Sequence, residues 1–146
     1  MEVSLLSSPI GCGKTSIMHF IRPFASPLYD YKIKTCRELS FEFAKSGYEA
    51  INKYTLKQNF QSRLSDYCFD DLGAEQQIKH FGNDCNLMAE ILISRYKQFV
   101  ENKSISHITT NLSASEIENC YCNRLRSRMR QMFNLIIFHS KTKDKR

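Results

Sequence analysis

A glycine-rich run followed by a lysine and two hydroxyl residues lies near the start of the chain. It reads Gly11-Cys12-Gly13-Lys14-Thr15-Ser16 and follows the apolar stretch Val3-Ser4-Leu5-Leu6. Backbone N–H groups of such a turn can surround a triphosphate, and the N-terminus of a following helix adds a favourable dipole. In this chemistry Lys14 would reach the β- and γ-phosphates, and the Thr15 hydroxyl would contact Mg²⁺. The run therefore predicts a phosphate-binding loop between a strand and a helix.

The loop departs from the full pattern at its first position, where Ser8 stands in place of a glycine. The predicted nucleotide-binding residues span the whole loop: Ser8, Pro9, Ile10, Gly11, Cys12, Gly13, Lys14, Thr15 and Ser16. Gly-Lys-Ser/Thr by itself arises by chance in about one chain in ten of this size. The loop therefore needs support from other motifs.

A pair of carboxylates follows a short apolar run further along the chain. Tyr67-Cys68-Phe69 leads directly into Asp70-Asp71-Leu72-Gly73-Ala74-Glu75. In a nucleotide-hydrolysing site one carboxylate holds Mg²⁺ through water, and its neighbour orients or deprotonates the attacking water. We assign the metal to Asp70 together with Thr15, and the catalytic role to Asp71. The alternative is a plain turn, because Asp-Asp-Leu-Gly is also turn-forming chemistry.

A third polar segment, Thr109-Thr110-Asn111, ends the β-rich run that begins at Ser106. Ligands of open parallel sheets bind at the carboxyl edge of the strands, so Asn111 would lie beside Asp70. There it could hold the lytic water or sense the γ-phosphate. The same residue could equally cap the helix that follows.

The segments that must position these residues alternate between strand and helix. Strands are predicted at 2–7, 29–35, 67–69, 106–110 and, as a last buried strand, 135–138. Helices are predicted at 14–22, through 41–54 with a pause near Gly47, at 86–100, and from Ser113 or Ser115 to about Met132. This alternation predicts an α/β fold, a three-layer parallel sheet with flanking helices.

The composition is that of an ordinary globular protein with one domain. The chain has 146 residues, of which 42% are hydrophobic and 25% charged. No apolar run approaches the ~20 residues of a membrane helix, and no secretory signal is visible. Six cysteines lack zinc spacing, so we expect a reduced, cytoplasmic protein that does not contact membranes. The net charge of +6 permits contact with nucleic acid without establishing it.

Four segments, taken in order, resemble the DnaC/IstB-like branch of AAA+ ATPases, which contains helicase loaders and accessory proteins of transposons and phages. They are 11–15, 70–75, 109–112 and 123–128, and the resemblance covers nearly the whole chain. It implies a P-loop NTPase fold, with an AAA+ core at 1–138, no lid domain, and a basic, disordered tail at 139–146. It also implies that the N-terminal region of the family is missing, because the first strand begins within two residues of Met1.

The same resemblance implies ATP and Mg²⁺ as cofactors, slow hydrolysis, and self-association into a ring or helical oligomer. The partners it implies are a replicative helicase or a transposase-type protein, and single-stranded DNA. Two alternatives stay open. A nucleotide-gated adaptor with negligible turnover is favoured by Asp71, which is shorter than the Glu common in AAA+ enzymes. A small nucleotide kinase fits the size and the loop, but leaves the second and third motifs unexplained.

The resemblance further implies an arginine finger on the last helix, supplied across a subunit boundary. Residues four apart share a helix face, so Arg124 and Arg128 lie on one face and Arg126 and Arg130 on another. The family's Arg-x-x-x-Arg pattern favours Arg124 and Arg128, with Arg124 first; the alternative is a solvated basic helix. Arg95 stands where relatives place another interface arginine, or is a charge on the helix surface.

Overall fold

The computed structural model describes residues 4–7, 11–25, 30–57, 64–75, 79–80, 83–84 and 86–138. Three predicted loop residues, Ser8, Pro9 and Ile10, lie outside the described residues, as does the predicted tail at 139–146.

Strands and helices alternate along the described part of the chain. In order they are β1 Ser4–Ser7, α1 Lys14–Ile21, β2 Tyr31–Thr35, α2 Cys36–Ser46, α3 Tyr48–Thr55, β3 Asp66–Leu72, β4 Lys79–His80, β5 Asn83–Asp84, α4 Leu87–Asn102, β6 Ser106–Thr110, α5 Ala114–Met132 and β7 Asn134–Ile137. The alternation confirms the predicted α/β fold. The short antiparallel pair β4–β5 was not predicted.

The five longer strands form one parallel sheet in the order β2-β3-β6-β1-β7. Strand β1 lies inside the sheet, between β6 and β7, and β3 lies beside β6. Because all these strands run in the same direction, the carboxyl ends of β1, β3 and β6 meet at one edge. The three motifs of the sequence are therefore neighbours in space.

Helices cover both faces of this sheet. Successive residues of a strand point to opposite faces, and β1 shows the division. Leu6 packs with Met18 of α1, whereas Leu5 belongs to the larger core that α2, α3, α4 and α5 form on the other face. The arrangement has three layers, as predicted.

Local capping signals fix where two of the helices begin. Thr35 and Glu38 form a capping box at α2, and Ser113 and Glu116 form one at α5. In each box the hydroxyl accepts from the backbone N–H three residues on, and the glutamate accepts from the capping residue's own N–H. The predicted start of the last helix near Ser113 is confirmed.

Strand β7 corrects one prediction, because its side chains are not buried. Leu135, Ile136 and Ile137 are all exposed, Ile137 by 69%. The strand lies at the edge of the sheet and pairs only with β1 among the described strands. Helix α5 borders the edge without covering it and leaves an apolar groove of about 850 Å³ between α5 and the strands. The apolar residues of this run predict a buried strand. Whether a strand lies at the edge depends on the order of all strands in the sheet, which the run itself does not show.

Arg95 corrects a second prediction, because it is neither an interface arginine nor a surface charge. Its side chain is 0% exposed, and it donates to the carbonyls of Tyr54 at 2.8 Å, Ser65 at 3.1 Å and Ile105 at 2.8 Å, and to the Ser106 hydroxyl at 2.6 Å. Burial lowers the pKa of Arg95 to about 10, so it remains charged at neutral pH. The guanidinium thus connects α4 to the end of α3, to the residue before β3 and to the start of β6.

Replacing Arg95 with methionine is expected to lower the free energy of unfolding by about 3–5 kcal/mol, because three carbonyls and the buried Asp66 carboxylate would lose a cation. Urea denaturation measures this change. Lys97→Met on the same helix is the control, since the Lys97 side chain is 72% exposed. Equal stability of the two variants would contradict a structural role for Arg95.

Cys12, Cys36, Cys68 and Cys120 are free cysteines. Within the described ranges, no helix combines the length and apolar character needed to cross a membrane.

Candidate functional site

The glycine-rich loop places the start of α1 at the floor of a cleft. Gly11 and Gly13 have φ angles of 84° and 85°, a region that glycine adopts without steric cost. Gly13 is the N-cap of α1, and no side chain caps this helix. The first N–H groups of a helix have no intrahelical acceptor, and they carry the positive end of its dipole. The loop thus presents a geometry suited to an anion.

The cleft has a volume of about 450 Å³ and gathers the three sequence motifs. Its lining residues are Gly11, Cys12, Gly13, Lys14, Thr15, Ser16, Ile17, Asp70, Asp71, Thr109 and Asn111. Each predicted site residue from the described part of the loop, the two carboxylates and Asn111 is among them. The structure therefore brings together what the sequence had placed at three separate strand ends.

Lys14 crosses the cleft from the first residue of α1 to the end of β6. Its side chain is buried, with the residue 7% exposed. The ammonium donates to Asn111 Oδ1 at 2.6 Å and to Cys12 Sγ at 3.6 Å. A phosphate entering the cleft would be a stronger, charge-assisted acceptor than the neutral amide. The position of Lys14 fits the role that the sequence predicts.

Thr15 and Asp70 form a small set of oxygen atoms at the same end of the cleft. The Thr15 hydroxyl donates to both Asp70 carboxylate oxygens, at 2.9 and 3.0 Å. The Thr109 hydroxyl donates to Asp70 Oδ1 at 2.6 Å and fixes the carboxylate from the other side. Since the hydroxyl hydrogen of Thr15 points to Asp70, its lone pairs are available to a hard cation. A hydroxyl beside a carboxylate is chemistry that fits Mg²⁺.

The two carboxylates, Asp70 and Asp71, belong to a bulge in β3. Phe69 pairs with Ile108 and Leu72 pairs with Thr110, so two residues of β3 lie opposite one of β6. That one residue is Thr109, whose hydroxyl accepts from the Asp71 N–H at 2.9 Å. Asp71 has a φ of 61°, which aspartate and asparagine tolerate better than most residues. Asp70 and Asp71 both line the cleft, although consecutive residues of a regular strand point to opposite faces.

Asn111 joins the lysine to the second carboxylate. Its Nδ2 donates to Asp71 Oδ1 at 2.9 Å, while its Oδ1 accepts from Lys14. The alternative that Asn111 caps the next helix is wrong, because Ser113 is the N-cap of α5. Thr109 is the site residue that the sequence analysis missed. Its position before Asn111 at a strand end was visible, but the bulge that directs its hydroxyl was not.

The arginines of α5 do not line this cleft. Arg124 is exposed, and Arg128 places its guanidinium over the Tyr96 ring, 4.4 Å from the ring centroid. Arg126 forms an ion pair with Glu118. The structure therefore does not bring Arg124 or Arg128 to the cleft of its own chain.

The parallel sheet, its flanking helices and the glycine loop before α1 define a P-loop NTPase core. No protein-family model matches the sequence, and no curated protein matches it either. Solved structures share the fold, and two of them are the DnaC helicase loader and DnaI. The DnaC helicase loader is 15% identical, with a TM-score of 0.67, over 94% of this chain and 78% of that one. DnaI is 20% identical, with a TM-score of 0.67, over 95% of this chain and 74% of that one. The chain therefore shares the fold of DnaC and DnaI, as the sequence resemblance implied.

Proposed function

We propose that this protein binds Mg·ATP in the cleft and hydrolyses it slowly. The observation that carries the proposal is the continuous network Lys14–Asn111–Asp71, which joins the glycine loop, the end of β6 and the bulge of β3. The network holds a buried lysine, an amide and a carboxylate together at one edge of the sheet. Its polar groups are those that phosphate binding and water activation require.

Each residue has a distinct part in this chemistry. Lys14 exchanges Asn111 for the phosphates, and the N–H groups at the start of α1 hold the remaining phosphate oxygens. Thr15 and Asp70 would hold Mg²⁺, which when bound neutralises charge on the phosphates. Asn111, once released from Lys14, orients the water or the γ-phosphate. Asp71 accepts the proton of the attacking water.

Full turnover is proposed to need an arginine from a neighbouring subunit. Arg124 is the better candidate, because it is exposed, whereas Arg128 covers Tyr96 within its own chain. This arrangement requires self-association into a ring or helical oligomer.

Arg124→Ala is expected to leave ATP affinity unchanged and to lower oligomer-dependent turnover by about 100-fold or more. Arg128→Ala, the matched control on the same face, is expected to have a smaller effect. Mixing Arg124→Ala with Lys14→Ala should restore turnover, because the second variant supplies Arg124 to intact sites of the first. Two results would contradict the assignment. One is a mixture whose turnover does not exceed that of either variant alone, and the other is a loss of ATP binding in Arg124→Ala as large as that in Lys14→Ala.

The biological use that fits best is loading or remodelling a replication protein, such as a replicative helicase, on single-stranded DNA. The DnaC-like fold supports this proposal, and the net charge of +6 is compatible with contact with DNA. A transposase-type partner is the second possibility of the same kind.

Phosphate release, measured with and without single-stranded DNA, tests the enzymatic proposal, and native mass with and without ATP tests self-association. Release above background that increases with oligomerisation supports the ATPase. ATP binding without release under any condition identifies a nucleotide-gated adaptor instead. That outcome has a structural rationale, because ATP would rearrange Asn111 without any turnover.

A further inference from the structure

The carboxylate of Glu75 links the turn that carries Asp71 to helix α5. Glu75 Oε2 accepts a hydrogen bond from the Gly73 N–H at 2.8 Å, and Oε1 accepts one from the Tyr121 hydroxyl. The turn also closes on itself, since the Ala74 N–H donates to the Asp71 carbonyl at 3.0 Å. One side chain therefore both folds the turn and attaches it to α5.

The contact between Glu75 and Tyr121 lies in apolar surroundings. Tyr121 is buried and belongs to the main core. Burial raises the pKa of the Glu75 carboxyl, although the hydrogen bonds from Tyr121 and Gly73 act in the opposite direction. Burial and the nearby Glu75 charge raise the pKa of Tyr121, so its hydroxyl remains protonated and donates. A hydrogen bond of this kind is stronger than the same bond in water.

The other side of the turn packs against the segment that follows β6. Gly73 has a φ of 102°, and a Cβ built there would lie 2.7 Å from Leu112 Cδ1. Leu112 directly follows Asn111 in the chain. The turn thus contacts Leu112 on one side and Tyr121 on the other, and it contains Asp71 in a left-handed conformation. Such conformations persist only where the surrounding structure enforces them.

We propose that Glu75 and Tyr121 are positioning residues for Asp71, and that they connect helix α5 to the carboxylate that activates water. The proposal rests on the function proposed above. Neither residue lines the cleft, so both act through the turn and not on the nucleotide. Arg124 lies one helical turn beyond Tyr121 on α5. A neighbouring subunit that contacts Arg124 therefore acts on a helix that is hydrogen-bonded to the catalytic turn.

Tyr121→Phe tests the connection, because it removes one hydroxyl and keeps the buried ring. We expect turnover about tenfold lower, with the Kd for ATP within about twofold of the original. Amide exchange of residues 71–75 in nucleotide-free protein should become about tenfold faster, since the turn loses its attachment. Combining Tyr121→Phe with Glu75→Ala should lower turnover no further than Glu75→Ala alone, because both remove the same contact.

Tyr96→Phe is the matched control, since the Tyr96 hydroxyl also bonds to α5, through Gln131, but away from the turn. It should change neither turnover nor exchange at 71–75. Unchanged exchange in Tyr121→Phe, or equal changes in both variants, would overturn the positioning role. Absence of ATP turnover in the unmodified protein would refute the proposed hydrolysis instead, and the exchange measurement would still decide the role of Glu75 and Tyr121.

Discussion

Replacing Lys14 with alanine is expected to lower the affinity for ATP by at least about 100-fold, the largest effect on binding of any single change. Hydrogen bonds to ionised groups contribute about 1.5–3 kcal/mol each, and about 2.7 kcal/mol corresponds to a factor of 100. Lys14 is the cation that the structure places inside the cleft, 2.6 Å from Asn111 at the end of β6. Its loss leaves the loop N–H groups as the remaining phosphate donors.

Isothermal titration calorimetry with ATP and Mg²⁺ measures the effect directly. Lys45→Ala is the matched control, because Lys45 is exposed on α2 and its loss removes the same charge from the whole protein. The control should bind ATP with unchanged affinity. Thermal melting should show that Lys14→Ala is folded, since the substitution removes a buried cation. Full affinity in a folded Lys14→Ala variant would disprove the assignment of the cleft as a phosphate site.

The elements around the cleft were predictable because each depends on local sequence. The run 106–110 is rich in β-branched residues, and the structure has β6 with the same bounds. Ser113 followed by Glu116 is a capping signal that needs no tertiary information. The meeting of the three motifs also followed from topology, since parallel strands expose their carboxyl ends at one edge.

The errors concern features that depend on distant parts of the chain. Arg95 reads as a helix charge, and its burial depends on carbonyl groups contributed by Tyr54, Ser65 and Ile105. Strand β7 reads as buried because its residues are apolar, and only the strand order shows that it is an edge. No local pattern reports which acceptors or neighbours will be nearby.

The conformation of Asp71 shows the same limit inside the site. The sequence indicates two adjacent acids, but not that both belong to a bulge or that Thr109 bonds to both. By the sequence resemblance, the short Asp71 is a departure from the usual glutamate. The φ of 61° supplies a physical reason for aspartate, because the left-handed region favours short polar side chains that bond locally.

Asp71→Asn is expected to slow ATP hydrolysis by about 100-fold or more while ATP binding is retained. General-base catalysis contributes about 10²–10⁴-fold, and an amide cannot accept the proton of the attacking water. The substitution changes the base and leaves the local structure intact. Asparagine tolerates the left-handed backbone, and its Oδ1 can still accept the hydrogen bond from Asn111. Alanine would add backbone strain, so the loss of the base could not be separated from a change in the turn.

Single-turnover phosphate release, with ATP affinity measured separately, distinguishes a chemical defect from a binding defect. Asp30→Asn is the matched control, because Asp30 is an exposed carboxylate paired with Arg22 outside the cleft. It should hydrolyse ATP at the original rate. Undiminished turnover in Asp71→Asn would remove Asp71 from the catalytic role and direct attention to Asp70.

Asp71→Glu separates the two explanations for the short acid. If aspartate is only a weaker base placed too far from the water, the longer side chain should speed hydrolysis. If the bulge selects aspartate, glutamate should slow it, because its longer side chain is less compatible with a φ of 61° and displaces the contact with Asn111. The geometry favours the second result. Slower hydrolysis by Asp71→Glu than by the original protein, with normal ATP affinity, would mean that the backbone of the bulge and the identity of the acid were selected together.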